Sequence, residues 1–564
     1  MYRFSSADRD YSSYTITDNK SGKTVQDEDF QPVKNKLFNF DIFNYEDGQV
    51  AICNSPTRSG SIAGILALEN NQTFGKIKNK FLYKFIPDDR RLPIFLVGYR
   101  IKQGFNKAQK NRYVIVYFRD WANKHPIGFI DQNLGTVCDL SSFYQYQLYC
   151  RSLNASIQDF TKKTRKILQK YPENELIDKI MERYRTSDRR DHDIVTIDPK
   201  SSKDFDDAFG LKQTENGSIL SIYIANVPLW MDFLGLWDSF SSRIATIYLP
   251  DRKLPMLPTI LSDMLCSLQA KSSRFALALD IYLDMNQNIV KYELGSTVIR
   301  VSQNLRYDTV EMKENDLYKQ VLNLTTKLNI KQPYLDNIKS CHDVIAYLMI
   351  LMNHYCAKVM AENKIGIYRT MSYNRTAPDI TVKNNDIRNF LKGWYSTGGN
   401  YTKLTNSMAH DALCLDKYIH ITSPIRRLVD LLNIIELQAS LHLVDYSDKA
   451  IAFHTGWTTE KSLELINSTM RSIRKIQNDC NLLYMCVNTP DILSKMHQGY
   501  VFDKMLRSDG MYQYHVYLVD LKMIRKTISS DNIDPNQYYN FELYLFMDQD
   551  RLYQKVRISL SQTQ

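Results

Sequence analysis

The sequence predicts an α+β multidomain chain: a large domain of mixed strands and helices, flanked by small β-barrels, two before it and one after it. Three observations carry that expectation. Short apolar runs separated by turn residues fill both ends of the chain. Helical spacing is concentrated in the middle. The 564 residues are 44% hydrophobic and 24% charged, enough to bury several cores and too apolar for a disordered chain.

Residues 1–58 read as the first barrel, with strands in Leu37–Phe43 and Gln49–Ile52 and turns at Asn19–Gly22 and Glu46–Gly48. The break Asn54-Ser55-Pro56-Thr57-Arg58-Ser59-Gly60-Ser61 reads as a linker. Residues 59–150 repeat the style, with Ser61–Leu68 and Tyr113–Phe118 as strands. Residues 151–490 form the large domain. Connector helices span about 155–185, strands are expected at Ser218–Ala225 and Arg274–Leu283, and helices over 317–363 and 458–487. No Gly-rich phosphate loop and no regular βαβ beat appear, which argues against a nucleotide-binding doubly wound sheet. Residues 491–564 return to strands at Gly499–Phe502, Tyr514–Val519, Phe541–Phe546 and Val556–Leu560, a third and electrically neutral barrel.

No apolar run reaches the roughly 18 residues of a membrane helix, and Met1–Ser6 lacks the apolar core of a signal peptide. Nine cysteines are scattered with no CxxC pair, so buried thiols in a reducing, intracellular compartment (cytoplasm or nucleus) are expected rather than a zinc ribbon.

The chemistry concentrates in Thr196-Ile197-Asp198-Pro199-Lys200-Ser201-Ser202-Lys203-Asp204-Phe205-Asp206-Asp207. Asp198, Asp204, Asp206 and Asp207 lie within ten residues after the apolar pair Ile194-Val195. So many anions repel one another unless cations sit among them. Oxygen-only ligands suit hard divalent ions, Mg²⁺ or Mn²⁺. Such a segment has the ligands to hold two ions about 3.5–4 Å apart, the spacing used in phosphodiester hydrolysis. The residues alone leave a solvated acidic turn or a Ca²⁺ loop open, although the central Gly and closing Glu of an EF-hand are missing.

A second constellation is Tyr418-Ile419-His420-Ile421-Thr422-Ser423-Pro424-Ile425-Arg426-Arg427-Leu428-Val429-Asp430. Thr422 or Ser423 is a ready N-cap and Pro424 fits the first helical position. That start puts Arg426 in the first turn, facing an anion together with unpaired backbone N–H groups. The alternative is a surface pair of Arg426 with Asp430.

The net charge of +10 is uneven. Between Asn70 and Arg112 eleven Lys/Arg face two acids, interleaved with Phe74, Phe81, Tyr83, Phe85, Phe95, Tyr99 and Phe105. Cations for phosphates and rings for bases would make a single-stranded nucleic-acid surface; an ordinary basic face with core aromatics fits equally.

Taken together, the acidic stretch, the Thr-Ser-Pro-Ile-Arg-Arg stretch and, between them, Tyr248-Leu249-Pro250-Asp251-Arg252-Lys253-Leu254-Pro255-Met256-Leu257-Pro258 with Leu265-Cys266-Ser267-Leu268 resemble the ribonuclease II (RNB) family of exoribonucleases. Ser296–Arg300, Asn353, and His410 ahead of Tyr418 are similar pieces. Pro87–Pro93, Trp121 and Pro126-Ile127-Gly128 resemble the second cold-shock domain of the eukaryotic, exosome-type branch, although no room precedes residue 1 for that branch's PIN domain.

The resemblance implies two cold-shock OB barrels, an RNB catalytic domain and a C-terminal OB barrel. It implies a monomer that degrades single-stranded RNA processively, 3′→5′, to nucleoside 5′-monophosphates with Mg²⁺, away from membranes. Asp198, Asp204, Asp206 and Asp207 would hold the metal, with Asp206 essential to chemistry, and Arg426 would stabilise charge on the scissile phosphate. Tyr248 would stack on or clamp the 3′-terminal base, and Arg427, Arg300, Asn353, His410 and Tyr418 would contact RNA. A catalytically silent RNA-binding relative is the alternative, and a DNA exonuclease a third. Two departures stand out: Leu428 replaces an aromatic that is usual after the Arg pair, and no stacking aromatic is evident around Lys364–Tyr368.

Overall fold

The computed structural model describes the chain except residues 26–29, 47, 102–108, 374–381, 383, 405–407, 490, 549, 551 and 562–564. It divides into two compact units. One comprises Met1–Asn154, Leu249–Asp251 and Arg474–Gln564; the other comprises Ala155–Tyr248 and Arg252–Ile473.

The first unit is built from three small sheets. The N-terminal one has five antiparallel strands in the order Thr24–Val25, Tyr14–Asp18, Tyr2–Ser6, Ile42–Glu46, Gln49–Asn54. The next one closes on itself. Ser61–Leu66 pairs with both Arg112–Asp120 and Lys80–Pro87. Gly64 lies at that seam, where an added Cβ would meet the Ile86 carbonyl oxygen at 2.5 Å. One apolar cluster runs through both sheets, including Phe4, Phe38, Phe43, Phe85, Phe95 and Trp121.

The stretch read as a linker is structured. Pro56–Ser59 forms one helical turn capped by Ser55. Buried Asp41 accepts from Ser55 Oγ at 2.5 Å and from Phe38 N at 2.9 Å, and lies 3.5 Å from Arg58. The Arg58 guanidinium stacks on Phe38 and Phe118. Local composition looked loop-like; the anchor comes from an aspartate fourteen positions upstream of Ser55.

Strand alternation also sorts the basic, aromatic stretch. Tyr83, Phe85 and Phe95 are core, whereas Phe81 is 51% exposed with Lys76 over its ring, and Lys84 sits over Phe74. Lys102, Phe105 and Lys107 lie outside the described residues.

The C-terminal sheet has five antiparallel strands in the order Met523–Ser529, Tyr512–Leu518, His497–Leu506, Gln537–Asp548, Tyr553–Leu560. Met523–Ser529 is an addition to the four expected. Only Thr527 of its seven residues is buried, so it carries little apolar alternation. Tyr553 packs against Tyr113, Phe143 and Tyr146 of the same unit.

The second unit centres on a mixed seven-stranded sheet in the order Ser187–Arg189, Ile289–Arg300, Ser273–Leu283, Gly217–Ala225, Asp207–Thr214, Val195–Asp198, Gln303–Arg306. The outermost pairings are parallel and the inner ones antiparallel. Both faces are covered, which is why its central strands read as nearly continuous apolar runs. Leu220, Ile222 and Ile224 meet helices Asp316–Lys331 and Cys341–Glu362 on one side. Tyr223 and Ala225 meet Val227–Phe233 and Leu428–Ser440 on the other. Helix Cys341–Glu362 is long and apolar enough to cross a membrane, yet 67% of that window is buried inside the protein. It starts at a capping box of Ser340 and Asp343.

Candidate active site

The four aspartates are set by the sheet. Asp198 ends its strand in register with Arg306, and Asp207 opens the next strand opposite Ile224. Between them the chain is pinned from downstream. Ser267 Oγ donates to the Lys203 carbonyl at 2.8 Å and accepts from Phe205 N at 3.0 Å, and Leu268 N donates to the Phe205 carbonyl. Phe205 anchors the loop in the core with the Arg306 guanidinium over its ring. The Leu265–Leu268 piece of the family resemblance is thus the clasp of the acidic loop.

A cavity of about 610 Å³ opens against this loop. Asp198, Asp204, Asp206, Asp207, Tyr248, Asn353, Tyr418, Arg426 and Arg427 all line it. Two expected residues do not. Arg300 is exposed at the end of its strand, and His410 stands behind Tyr418 with ring centroids 5.2 Å apart. Residues the sequence reading did not assign also line the cavity: Tyr307, His420, Ser423 and the helix face Ile345, Ala346, Met349 and Ile350.

Asp206, 3% exposed, uses both oxygens. Oδ1 accepts from Ile425 N and Oδ2 from Arg426 Nε, each at 3.0 Å. Arg426 Nη2 donates to Ser423 Oγ at 3.0 Å. Asp204 meets Lys253 Nζ at 2.8 Å, a contact the sequence reading missed; the lysine sits inside the quoted Tyr-Leu-Pro-Asp-Arg-Lys motif, which was its only signal. Tyr248, 41% exposed, sits on a two-strand hairpin whose preceding residues Ile244–Thr246 bond to Arg426 and Leu428.

The expected helix start is wrong by several residues. The helix is Leu428–Ser440, with Arg427 as its N-cap, and Ser423–Arg426 form a turn before it. Tertiary partners take the groups a helix would have used. Ile425 N goes to Asp206, and Ser423 N goes to Asp430 Oδ1 at 2.7 Å. It is Arg427, not Arg426, that pairs with Asp430, at 2.8 Å. Arg427 also touches His420 Nδ1 at 3.2 Å, and Tyr401 Oη lies 2.7 Å from that nitrogen. Asn353 accepts from Ile421 N and donates to Tyr418 Oη, each at 2.9 Å.

Burial pushes the carboxyls of Asp198, Asp206 and Asp207 up to about 7, and the neighbouring carboxylates add to the rise. Asp198 Oδ2 is buried without a hydrogen-bond partner. An oxygen-only, buried and under-compensated donor set fits hard divalent cations. Lys253 at Asp204, Arg426 at Asp206 and, more weakly, Arg306 near Asp198 supply positive charge. Among the described residues, the group of acidic, thiol or imidazole side chains whose ligand atoms lie within 4.8 Å of one another is elsewhere, at Asp308, Cys341 and His342.

The family model described as RNB domain matches residues 186–332, the part of the chain that carries the acidic loop and the mixed sheet. The chain is similar to ribonuclease R of Mycoplasmopsis pulmonis, 37% identical over 142 residues, covering 25% of this chain and 19% of that protein. It is similar to DIS3-like exonuclease 2 of Schizosaccharomyces pombe, 28% identical over 241 residues, covering 40% and 25%. These alignments span a quarter or less of each relative. The whole fold matches a structure of Mycoplasma genitalium RNase R in complex with ribose methylated single-stranded RNA, with a TM-score of 0.69, 18% identity, and 99% and 100% of the two chains covered. Yeast Ssd1, described as a pseudonuclease, shares the fold at a TM-score of 0.60 and 16% identity, over 85% and 66%.

Proposed function

We propose that the chain is a metal-dependent 3′→5′ exoribonuclease that hydrolyses single-stranded RNA processively to nucleoside 5′-monophosphates. One observation carries this reading: the buried carboxyls of Asp198 and Asp206 and the half-buried one of Asp207, all raised to about 7, line one cavity with an arginine fixed on Asp206. Such a cluster is poorly tolerated as a structural feature and well matched to divalent cations. Asp198, Asp204, Asp206 and Asp207 would hold Mg²⁺ or Mn²⁺, which when bound supplies Lewis-acid stabilisation and a water of lowered pKa.

The chain's own residues do the rest. Arg426, held on Asp206 by Nε and on Ser423 by Nη2, presents positive charge where a phosphate would gain negative charge. Tyr248 offers a half-exposed ring for base stacking. Asn353, Tyr418 and Arg427 form the hydrogen-bonded wall beside them. The names of the relatives, a ribonuclease and an exonuclease, support RNA as substrate and attack from a chain end.

The test is incubation of the full chain with end-labelled single-stranded RNA and Mg²⁺, reading products by mass. Release of nucleoside 5′-monophosphates from the 3′ end is expected. A folded Asp206→Asn protein that degrades RNA at the parental rate would refute the assignment of the acids. A silent RNA-binding protein is the second reading, favoured by the Lys253–Asp204 pair, which neutralises one acid internally. RNA retention without nucleotide release in Mg²⁺ would select it.

A further inference from the structure

Helix Cys341–Glu362 begins with two adjacent potential ligands. Cys341 is its first residue and His342 its second. Ser340 and Asp343 form the capping box, and the Asp343 carboxylate is occupied by Lys339 N, Ser340 N and Ser340 Oγ. The helix start is therefore fixed independently of its neighbours.

Asp308 reaches the pair from the turn after strand Gln303–Arg306. Its two oxygens divide the work. Oδ1 is 3.6 Å from Cys341 Sγ and Oδ2 is 3.7 Å from His342 Nε2. All three side chains bring a ligand atom within 4.8 Å of one another. A tetrahedron with Zn–S of about 2.3 Å and Zn–N/O of about 2.0 Å has edges of about 3.3–3.5 Å. Each of Cys341 and His342 already stands within a few tenths of an ångström of that distance from one Asp308 oxygen, Oδ1 for the thiol and Oδ2 for the imidazole.

The ordinary alternative is a thiol donating to a carboxylate beside a surface ion pair. The packing of His342 argues for more. Its ring stacks on Tyr307 with centroids 3.9 Å apart. Tyr307 lines the aspartate cavity, and its N–H donates to the Asp198 carbonyl at 3.0 Å. A ligand holding His342 would hold that wall.

We propose that Asp308, Cys341 and His342 form a zinc-class metal site, separate from the four aspartates, that fixes the Tyr307 wall of the cavity. Thiolate and imidazole select a borderline-soft ion over Mg²⁺. Binding exchanges the thiol proton for the metal, with the proton released to solvent. The side chains of Asp308 and His342 are 69% and 57% exposed, so solvent reaches the fourth position. The inference does not depend on the nuclease reading.

Cobalt(II) discriminates the sites, because only a thiolate ligand gives an intense sulfur-to-cobalt absorption. Titrating the chelator-treated full chain should develop that band to one equivalent. The band should persist in Asp206→Asn and vanish in Cys341→Ser. His342→Ala, at an exposed position, is the variant whose folding is safest; it should weaken Co²⁺ and Zn²⁺ binding at least tenfold and abolish a Zn²⁺-induced rise in Tm. No band, or a band surviving Cys341→Ser because exposed Cys53, Cys138 or Cys414 supplies it, would overturn the proposal. So would equal zinc affinity in His342→Ala and the parent.

Discussion

Arg426 and Arg427 are consecutive, each holds a buried aspartate and both line the cavity, yet their partners differ. Arg427 lies on Asp430 and His420 with its side chain 23% exposed. Asp430 is fully buried and also receives Ser423 N. This pair is a staple that ties the turn to the helix it precedes. Arg426 lies on Asp206 with its side chain 45% exposed to the cavity. Its partner belongs to an acidic loop whose charge is not fully met. The lesson is that an ion pair is structural or functional according to what else shares its aspartate. A carboxylate met by its own cation holds the fold; an over-acidic cluster leaves negative charge open to further cations.

Four experiments would break or sharpen this contrast. Asp206→Asn should reduce RNA hydrolysis at least about 10³-fold with the fold retained, read by single-turnover kinetics and circular dichroism. Asp430→Asn should act on the other side, lowering unfolding stability by about 3–5 kcal/mol because it strands the Arg427 charge, read by urea denaturation. An Asp430→Asn protein with full stability and no activity would erase the distinction. Arg426→Ala should lower the hydrolysis rate about 10²–10³-fold with Tm little changed. Arg426→Lys should recover little of it, since a point charge does not reproduce the two-nitrogen grip on Asp206 and Ser423.

The smallest effect is on pH dependence. Asp198, Asp206 and Asp207 titrate near 7 in the fold against an ordinary value of 3.8. Between those values the metal-depleted fold binds more protons than the unfolded chain, so its stability falls as pH rises from about 4 to 7. In chelator, Tm should be lower at pH 8 than at pH 5.5. Mg²⁺ should recover it at pH 8, and Asp198→Asn should flatten the slope. A metal-free Tm that rises across this window would contradict the picture of an under-compensated cluster.

The acidic loop was legible because its residues are contiguous and their repulsion is a local fact. Arg426 was singled out as a candidate through its motif and lines the cavity, but its environment was not legible. Thr422-Ser423-Pro424 carries every local sign of a helix start, and the distant Asp206, with Asp430 seven residues after Ser423, overrides it. The same blindness turned Asn54–Ser61 into a linker, since Asp41 cannot be read from that window. Tyr307 and His420 went unassigned because single residues acquire meaning only when the fold brings them to the cavity, and Lys253 because its partner Asp204 lies far away in sequence. Arg300 shows the converse: a residue quoted from a family-like piece that faces solvent at a strand end.

The helix face of Ile345, Ala346, Met349 and Ile350 contributes aliphatic surface to the cavity. Aliphatic groups offer a nucleobase edge no donor and no acceptor, and methionine reshapes itself around whatever is pressed against it. A chain end entering between this face and the Tyr248 ring would be gauged by its girth and not by its spelling.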